Sequence, residues 1–304
     1  MEKLLRTMLQ SLGTNRKAHR LARKYGLRFG ASRFVAGETI AQSLAAVQTL
    51  NRQGKMATLD HLGEFVSTQE EANEAAAMCI QTLDAIASSG VQANLSLKLT
   101  SLGLDLGYEL CLANMLRILE RAGQLGLFVR IDMEDYAHCE IALNMYRELR
   151  ETYANVGVVI QAYLYRSLQD VEDLGKIGAN LRLVKGAYKE SPQVAFPQKA
   201  DVDNQFLAMI RRHLDGGHYT AIATHDAAMI AQAKQFIAER RIPNEQFEFQ
   251  MLYGIAEDLQ DRLVEEGYRV RIYVPFGVDW FGYFMRRLAE RPANVWFVLK
   301  NIVR

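Results

Sequence analysis

Tyr283, Arg286, Arg287 and Glu290 stand close together in the stretch Asp279-Trp-Phe-Gly-Tyr283-Phe-Met-Arg286-Arg287-Leu-Ala-Glu290. On a helix, Tyr283 and Arg287 are i and i+4, Tyr283 and Glu290 are i and i+7, and Arg286 neighbours both ends. Two guanidiniums and a phenol on one face can fork around a carboxylate and pack on a small ring. Glu290 can steady either arginine. The same spacing also describes a solvated helix laced with ion pairs, so the face must be read together with its surroundings.

Further candidates end short β-type runs. Lys98 sits in the alternating run Leu95-Ser-Leu97-Lys-Leu99. Inside a barrel such a lysine is costly unless it meets a partner or ligand. It suits a carboxylate anchor or, with a depressed pKa, a Schiff-base nucleophile; a lysine facing the outer helices is the plain alternative. Asp132-Met133-Glu134-Asp135 follows an apolar run. Asp135 reads as the N-cap of the next helix, and Asp132, at the strand end, as a partner for an amine or cofactor. Arg182 and Val184 share one strand face. Lys185 follows them, and Gly186-Ala187 lets the backbone approach something bulky, which suits a flat cofactor that gains negative charge. Thr224-His225-Asp226 offers a hydrogen-bonding histidine; with no second histidine at ligand spacing, a metal is not expected. Asp60, Gln161, Gln250 and Tyr273 complete a set of polar strand ends.

These groups need elements to carry them to one place. Strand-type runs fall at 56–60, 94–98, 128–132, 156–161, 181–184, 220–224, 247–250 and 270–274. Amphipathic helical stretches lie between many of them, at 70–88, 110–125, 202–214 and 227–240. Strand-then-helix alternation argues for a parallel sheet, and about eight units is the count that closes a barrel. An open doubly wound sheet would more often carry a phosphate-binding glycine fingerprint, and neither it nor a P-loop occurs. The expectation is an α/β protein: a (β/α)8 TIM-type barrel over 55–304 with an N-terminal helical segment, 1–54, packed on it as one domain. Active sites of such barrels lie at the C-terminal strand ends, where the polar groups fall. The segment Lys189 to Lys199 holds two of the five prolines and resists a helical reading.

Composition narrows the class further. The chain has 304 residues, 49% hydrophobic and 23% charged, with a net charge of +1, so nucleic-acid binding by bulk electrostatics is not expected. Three cysteines without C-x-x-C spacing argue against a disulfide framework or zinc site and for a reducing cytoplasm. No apolar run is long enough to span a bilayer. Arg16, Lys17, Arg20, Arg23, Lys24 and Arg28 could meet an anionic membrane surface, though a solvated helix face is the plainer reading.

Together, Lys98 in L-S-L-K-L, Asp132 in D-M-E-D, Arg182 in R-L-V-K-G-A-Y, Thr224-His225-Asp226, Gln250-Met-Leu252-Tyr-Gly254, Arg271-Ile-Tyr273-Val-Pro275 and Tyr283-x-x-Arg286-Arg287-x-x-Glu290 resemble the proline dehydrogenase family, in particular its monofunctional bacterial members. Each motif is short, but their ordered set is specific and spans the chain from Leu59 onward. The resemblance implies a distorted (β/α)8 barrel that binds FAD, oxidises L-proline to Δ1-pyrroline-5-carboxylate and passes electrons to a membrane quinone. It implies that Lys98, Arg286 and Arg287 hold the proline carboxylate, and that Asp132 lies beside flavin and proline, tied to Lys98 or to the substrate side of the pocket. Leu252, Tyr273 and Tyr283 would wall the ring. Met133, Gln161, Arg182, Val184, Lys185, Gly186, Ala187, Tyr188, Thr224, His225 and Glu290 would contact FAD, with Arg182 near its reactive edge. Glu64 would pair with Arg286 as a gate. A cytoplasmic protein, peripheral at most on the inner membrane face, is implied, with pyrroline-5-carboxylate dehydrogenase as a separate downstream partner; the aldehyde dehydrogenase fused to some members is not expected here. Two other readings remain open on residues alone: a Schiff-base aldolase using Lys98 or Lys185, and a catalytically silent barrel that binds an amino acid.

Overall fold

The structure, a computed structural model, describes residues 31–63 and 66–290. Glu64 and the basic residues between Arg16 and Arg28 lie outside the described residues, as does the side chain of Glu290. The elements run α1 (Ile40–Arg52), β1 (Met56–His61), α2 (Gln69–Ser89), β2 (Ala93–Leu97), α3 (Tyr108–Gln124), β3 (Val129–Ile131), α4 (Tyr136–Arg150), β4 (Val156–Gln161) and α5 (Ser167–Gly175). They continue as β5 (Leu181–Val184), α6 (Lys199–Asp215), β6 (Thr220–Ala223), α7 (Ala227–Arg240), β7 (Phe247–Leu252), α8 (Glu257–Glu265), β8 (Val270–Phe276) and α9 (Trp280–Glu290). All eight strands are parallel and close into a barrel in sequence order, as the alternation predicts.

Local chemistry sets the boundaries. Thr39 with Gln42 and Thr68 with Glu71 form capping boxes that start α1 and α2. Asp135 and Asp226 cap α4 and α7 by accepting from His138 N and Ala228 N. Period-two alternation then sorts each strand into two faces. Leu59, Leu95, Ile131, Val158, Leu183, Ile222, Phe249 and Ile272 are fully buried and belong to the core cluster shared by sheet and outer helices. The opposite faces hold Asp60, Ser96, Arg130, Asp132, Arg182, Glu248, Gln250 and Arg271. Arg182 on β5 reaches Ser96 on β2 and Gln250 on β7, contacts that only cross the lumen. The apolar core is therefore a ring outside the sheet, and the lumen is a charged column whose members must pair.

The last helix is where the barrel departs from regularity. Trp280, Tyr283, Phe284, Met285 and Leu288 of α9 form a second apolar cluster with Ala31, Phe34, Val35, Leu62 and Ile255, all beyond the C-terminal strand ends. So α9 sits over the mouth, and residues 31–37 brace it: Ala36 N donates to Pro275 O at 2.9 Å and Gly277 N to Gly37 O at 2.9 Å. Gly254 makes this packing feasible. Its φ is +70°, and a Cβ there would lie 1.8 Å from the Arg33 carbonyl oxygen. Gly254→Ala combines left-handed strain with a backbone clash and is expected to destabilise the fold by about 3 kcal/mol or more. A fall in the urea midpoint with unchanged slope checks it.

One buried group gives the barrel an acid limit. His213 on α6 is 1% exposed, with Nδ1 2.9 Å from Thr220 Oγ1. Burial, reinforced by the nearby His218 ring, lowers its pKa to about 3. The unfolded chain binds this proton at about pH 6.5, so the stabilisation is complete above that pH and is lost as pH falls toward 3. Between pH 6.5 and 5 the loss amounts to about 2 kcal/mol. His213→Asn should flatten the pH dependence of Tm across that window; an unchanged slope would refute it.

Candidate active site

A cavity of about 390 Å³ opens at the C-terminal end of the barrel, under α9. Every site residue expected from the sequence lines it, apart from Glu64 and Glu290, of which the residue and the side chain, respectively, lie outside what is described. Asp60, Val159, Ala223, Gln250 and Met251 line it as well. Asp60 and Gln250 were legible only as polar strand ends. The other three are apolar, and nothing in their type separates a cavity wall from a core position.

Asp132 is the hub. Its Oδ1 accepts from Arg182 Nη1 at 2.6 Å and from Ser96 Oγ at 2.9 Å, and its Oδ2 accepts from Tyr273 Oη at 2.7 Å. The Arg182 guanidinium also lies 5.3 Å over the Tyr273 ring. Burial, with Asp132 alongside, pushes the Tyr273 phenol well above its ordinary pKa, so it stays protonated and donating. Of the two ties expected for Asp132, to Lys98 or to the substrate side of the pocket, its bond from Tyr273 is of the second kind. Lys98 Nζ pairs instead with Asp60 on the neighbouring strand, at 3.7 Å.

Burial alone would depress the Lys98 pKa, and Arg286 pushes the same way, but Asp60 together with Asp132 overrides both and raises it above the ordinary lysine value. A Schiff-base lysine needs the opposite shift. Lys185 suits that role no better, since its Nζ is held by Asp226 at 2.7 Å and by Asp203. Both lysines are thus engaged by carboxylates, which favours a charge-anchoring role over the aldolase reading.

Cations gather on the α9 side. Arg287 is 8% exposed and stacks 5.0 Å from the Tyr283 ring, the i, i+4 contact expected from the sequence. Arg286 lies close enough to Lys98 to bear on its charge. Lys98, Arg286 and Arg287 all line the cavity, as do Leu252 and Tyr273, which supply apolar surface.

The same cavity holds the groups expected to meet a cofactor. Among the described residues Arg182 Nη2 and Gln161 Oε1 are buried there without a hydrogen-bond partner, one donor and one acceptor suited to the polar edge of a planar ring. Gln161 is oriented by donating Nε2 to Glu134 O at 3.0 Å. His225 Nε2 accepts from Leu252 N at 2.9 Å, which leaves the ring proton on Nδ1 when the imidazole is neutral. The bulky neighbour that Gly186 accommodates is the Tyr163 ring, 2.2 Å from where a Cβ would stand, at φ +110°. The glycine therefore shapes the wall through Tyr163.

A parallel barrel whose C-terminal mouth holds a carboxylate-held arginine, the further cations Lys98, Arg286 and Arg287, and aromatic side chains has the arrangement of an enzyme active site. Residues 43–300 match the proline dehydrogenase family profile. Proline dehydrogenase 1 of Bacillus subtilis (strain 168) is 51% identical over 301 residues, covering 99% of this chain and 100% of that protein. Proline dehydrogenase of Deinococcus radiodurans is 43% identical over 279 residues, covering 90% of each. Among solved structures, proline utilization A from Bdellovibrio bacteriovorus inactivated by N-propargylglycine superposes with a TM-score of 0.81 at 27% identity over 86% of this chain. This chain spans 32% of that longer one. The chain belongs to the proline dehydrogenase family, a family of flavin-dependent oxidoreductases.

Proposed function

We propose that this chain oxidises L-proline to Δ1-pyrroline-5-carboxylate with FAD as cofactor and passes the electrons to a membrane quinone, the first step in converting proline to glutamate. The observation that carries this is that Lys98, Arg286 and Arg287 line the same cavity as Arg182 and Gln161, whose Nη2 and Oε1 are buried without a hydrogen-bond partner among the described residues. The three cations fix a single carboxylate, and with it the ring carbon that loses hydride; orientation of this kind supplies much of the rate. Leu252, Tyr273 and Tyr283 pack the ring. Loss of hydride leaves an iminium, so the ring nitrogen reacts unprotonated. The Tyr273 hydroxyl, held protonated against Asp132, is not the group that takes that proton.

Met133, Gln161, Arg182, Val184, Lys185, Gly186, Ala187, Tyr188, Thr224, His225 and Glu290 would hold the cofactor. The flavin supplies hydride acceptance and the return of electrons to the quinone. Arg182, held by Asp132, would offset negative charge on a reduced flavin bound beside it. Glu64 would close the site against Arg286. In this reading residues 55–304 form the catalytic barrel, with 1–54 as an N-terminal segment of the same domain. Among the described residues no helix is long and apolar enough to cross a membrane. A pyrroline-5-carboxylate dehydrogenase would consume the product.

Purified protein should carry a yellow chromophore whose mass after denaturation is that of FAD, and should reduce a soluble quinone analogue with proline as donor. A protein that retains no added FAD contradicts the reading.

A further inference from the structure

The charged column of the lumen continues from the cavity wall to Glu248 and Arg271, which do not line the cavity. Arg182 Nε donates to Gln250 Oε1 at 2.6 Å. Gln250 Nε2 donates in turn to Glu248 Oε1, two residues back on β7. Arg271 Nε on β8 donates to the same Glu248 oxygen at 2.8 Å, and Arg271 Nη1 is anchored on Ala57 O at 2.8 Å. Glu248 is 1% exposed and Gln250 4%. The other groups facing Glu248 are Tyr219, just before β6, and Arg130 on β3. Arg130 has its own partners, Asn180 O at 2.6 Å and Val158 O at 3.3 Å. The line thus runs unbroken from Asp132 through Arg182, Gln250 and Glu248 to Arg271.

An amide in such a line has two orientations, and only one serves Arg182. A carboxylate only accepts, so an ionised Glu248 compels Gln250 to present its NH2 downward and its carbonyl oxygen upward. That oxygen is then the acceptor for Arg182 Nε, which fixes the guanidinium plane and so both of its upper nitrogens. Were position 248 neutral and able to donate, the amide could turn over and set NH2 against the guanidinium.

We propose that Glu248 is a positioning residue for the oxidation: through the fixed Gln250 amide it locks Arg182 in the plane that meets the cofactor. The inference rests on the flavin-dependent function proposed above. It separates Glu248 from the many buried charges that only hold a barrel together, because its effect must pass through one named amide.

The test uses the FAD-loaded enzyme. Glu248→Gln and Gln250→Met should each slow flavin reduction at saturating proline about tenfold while KM changes less than about twofold. Each should also shift the flavin midpoint potential to more negative values by about 30 mV, a tenfold change for a two-electron couple. The double variant should be no worse than either single one, since both break the same line. Where Glu248→Gln does not fold, Gln250→Met alone decides, because it leaves the Glu248–Arg271 pair in place. A wild-type potential and reduction rate in Gln250→Met, or effects that multiply in the double variant, would overturn the proposal. A purely structural role would lower Tm and leave the potential unmoved. A wild-type protein with no proline-reducible flavin would instead overturn the functional reading, before any variant is compared.

Discussion

Replacing Arg287 by lysine is expected to lower kcat/KM for proline by at least about tenfold, and Arg286→Lys should do the same. Both substitutions keep the charge, so the loss reports geometry. Arg287 lies 5.0 Å over the Tyr283 ring and lines the cavity, where a planar fork can take both oxygens of a carboxylate. Lysine offers a single strongly hydrated point charge and stacks less well. Losing one charge-assisted hydrogen bond costs about 1.5–3 kcal/mol, or about 10- to 150-fold in affinity. Steady-state kinetics over a range of proline concentrations check it, and unchanged kinetics in both variants would remove the arginines from the site.

The second large effect is at Asp132. Asp132→Ala should cost both stability and turnover, because the carboxylate holds Arg182, Ser96 and Tyr273 at once. Arg182 is 4% exposed, and removing its counter-charge leaves a buried cation, which costs about 3–5 kcal/mol. Turnover should fall by about a hundredfold or more, the scale seen when a preorganised electrostatic group is lost. Asp132→Asn keeps an acceptor oxygen for Arg182 and should lose less stability than alanine. Chemical denaturation and turnover of the two variants side by side measure this. Equal stability of Asp132→Ala and the parent would mean that the lumen does not depend on that pair.

The rhythm of the chain made the barrel legible. Val156–Gln161 and Leu181–Val184 are strands with the bounds expected from their residues, and Ala227–Arg240 is a helix with its expected bounds. Helix α5, only nine residues long, gave too few turns for its period to stand out, and α4 and α8 were implied only by the alternation. The cavity residues were legible by type because charges at strand ends need a purpose. What type could not reveal is which charge meets which. Lys98 finds Asp60, since β1 and β2 are neighbours in register, while Asp132 turns across the lumen to Arg182. The service Gly186 renders to Tyr163, and Gly254 to the Arg33 carbonyl, depends on segments far apart in sequence. The position of α9 over the mouth also needed the fold, although its spacing had already marked Tyr283 and Arg287 as partners.

Anaerobic addition of L-proline to the purified, FAD-loaded protein tests the central claim most directly. The flavin absorbance should bleach, one flavin per proline oxidised, with a cyclic imine appearing in equal amount. A flavin spectrum that proline leaves unchanged would contradict the account.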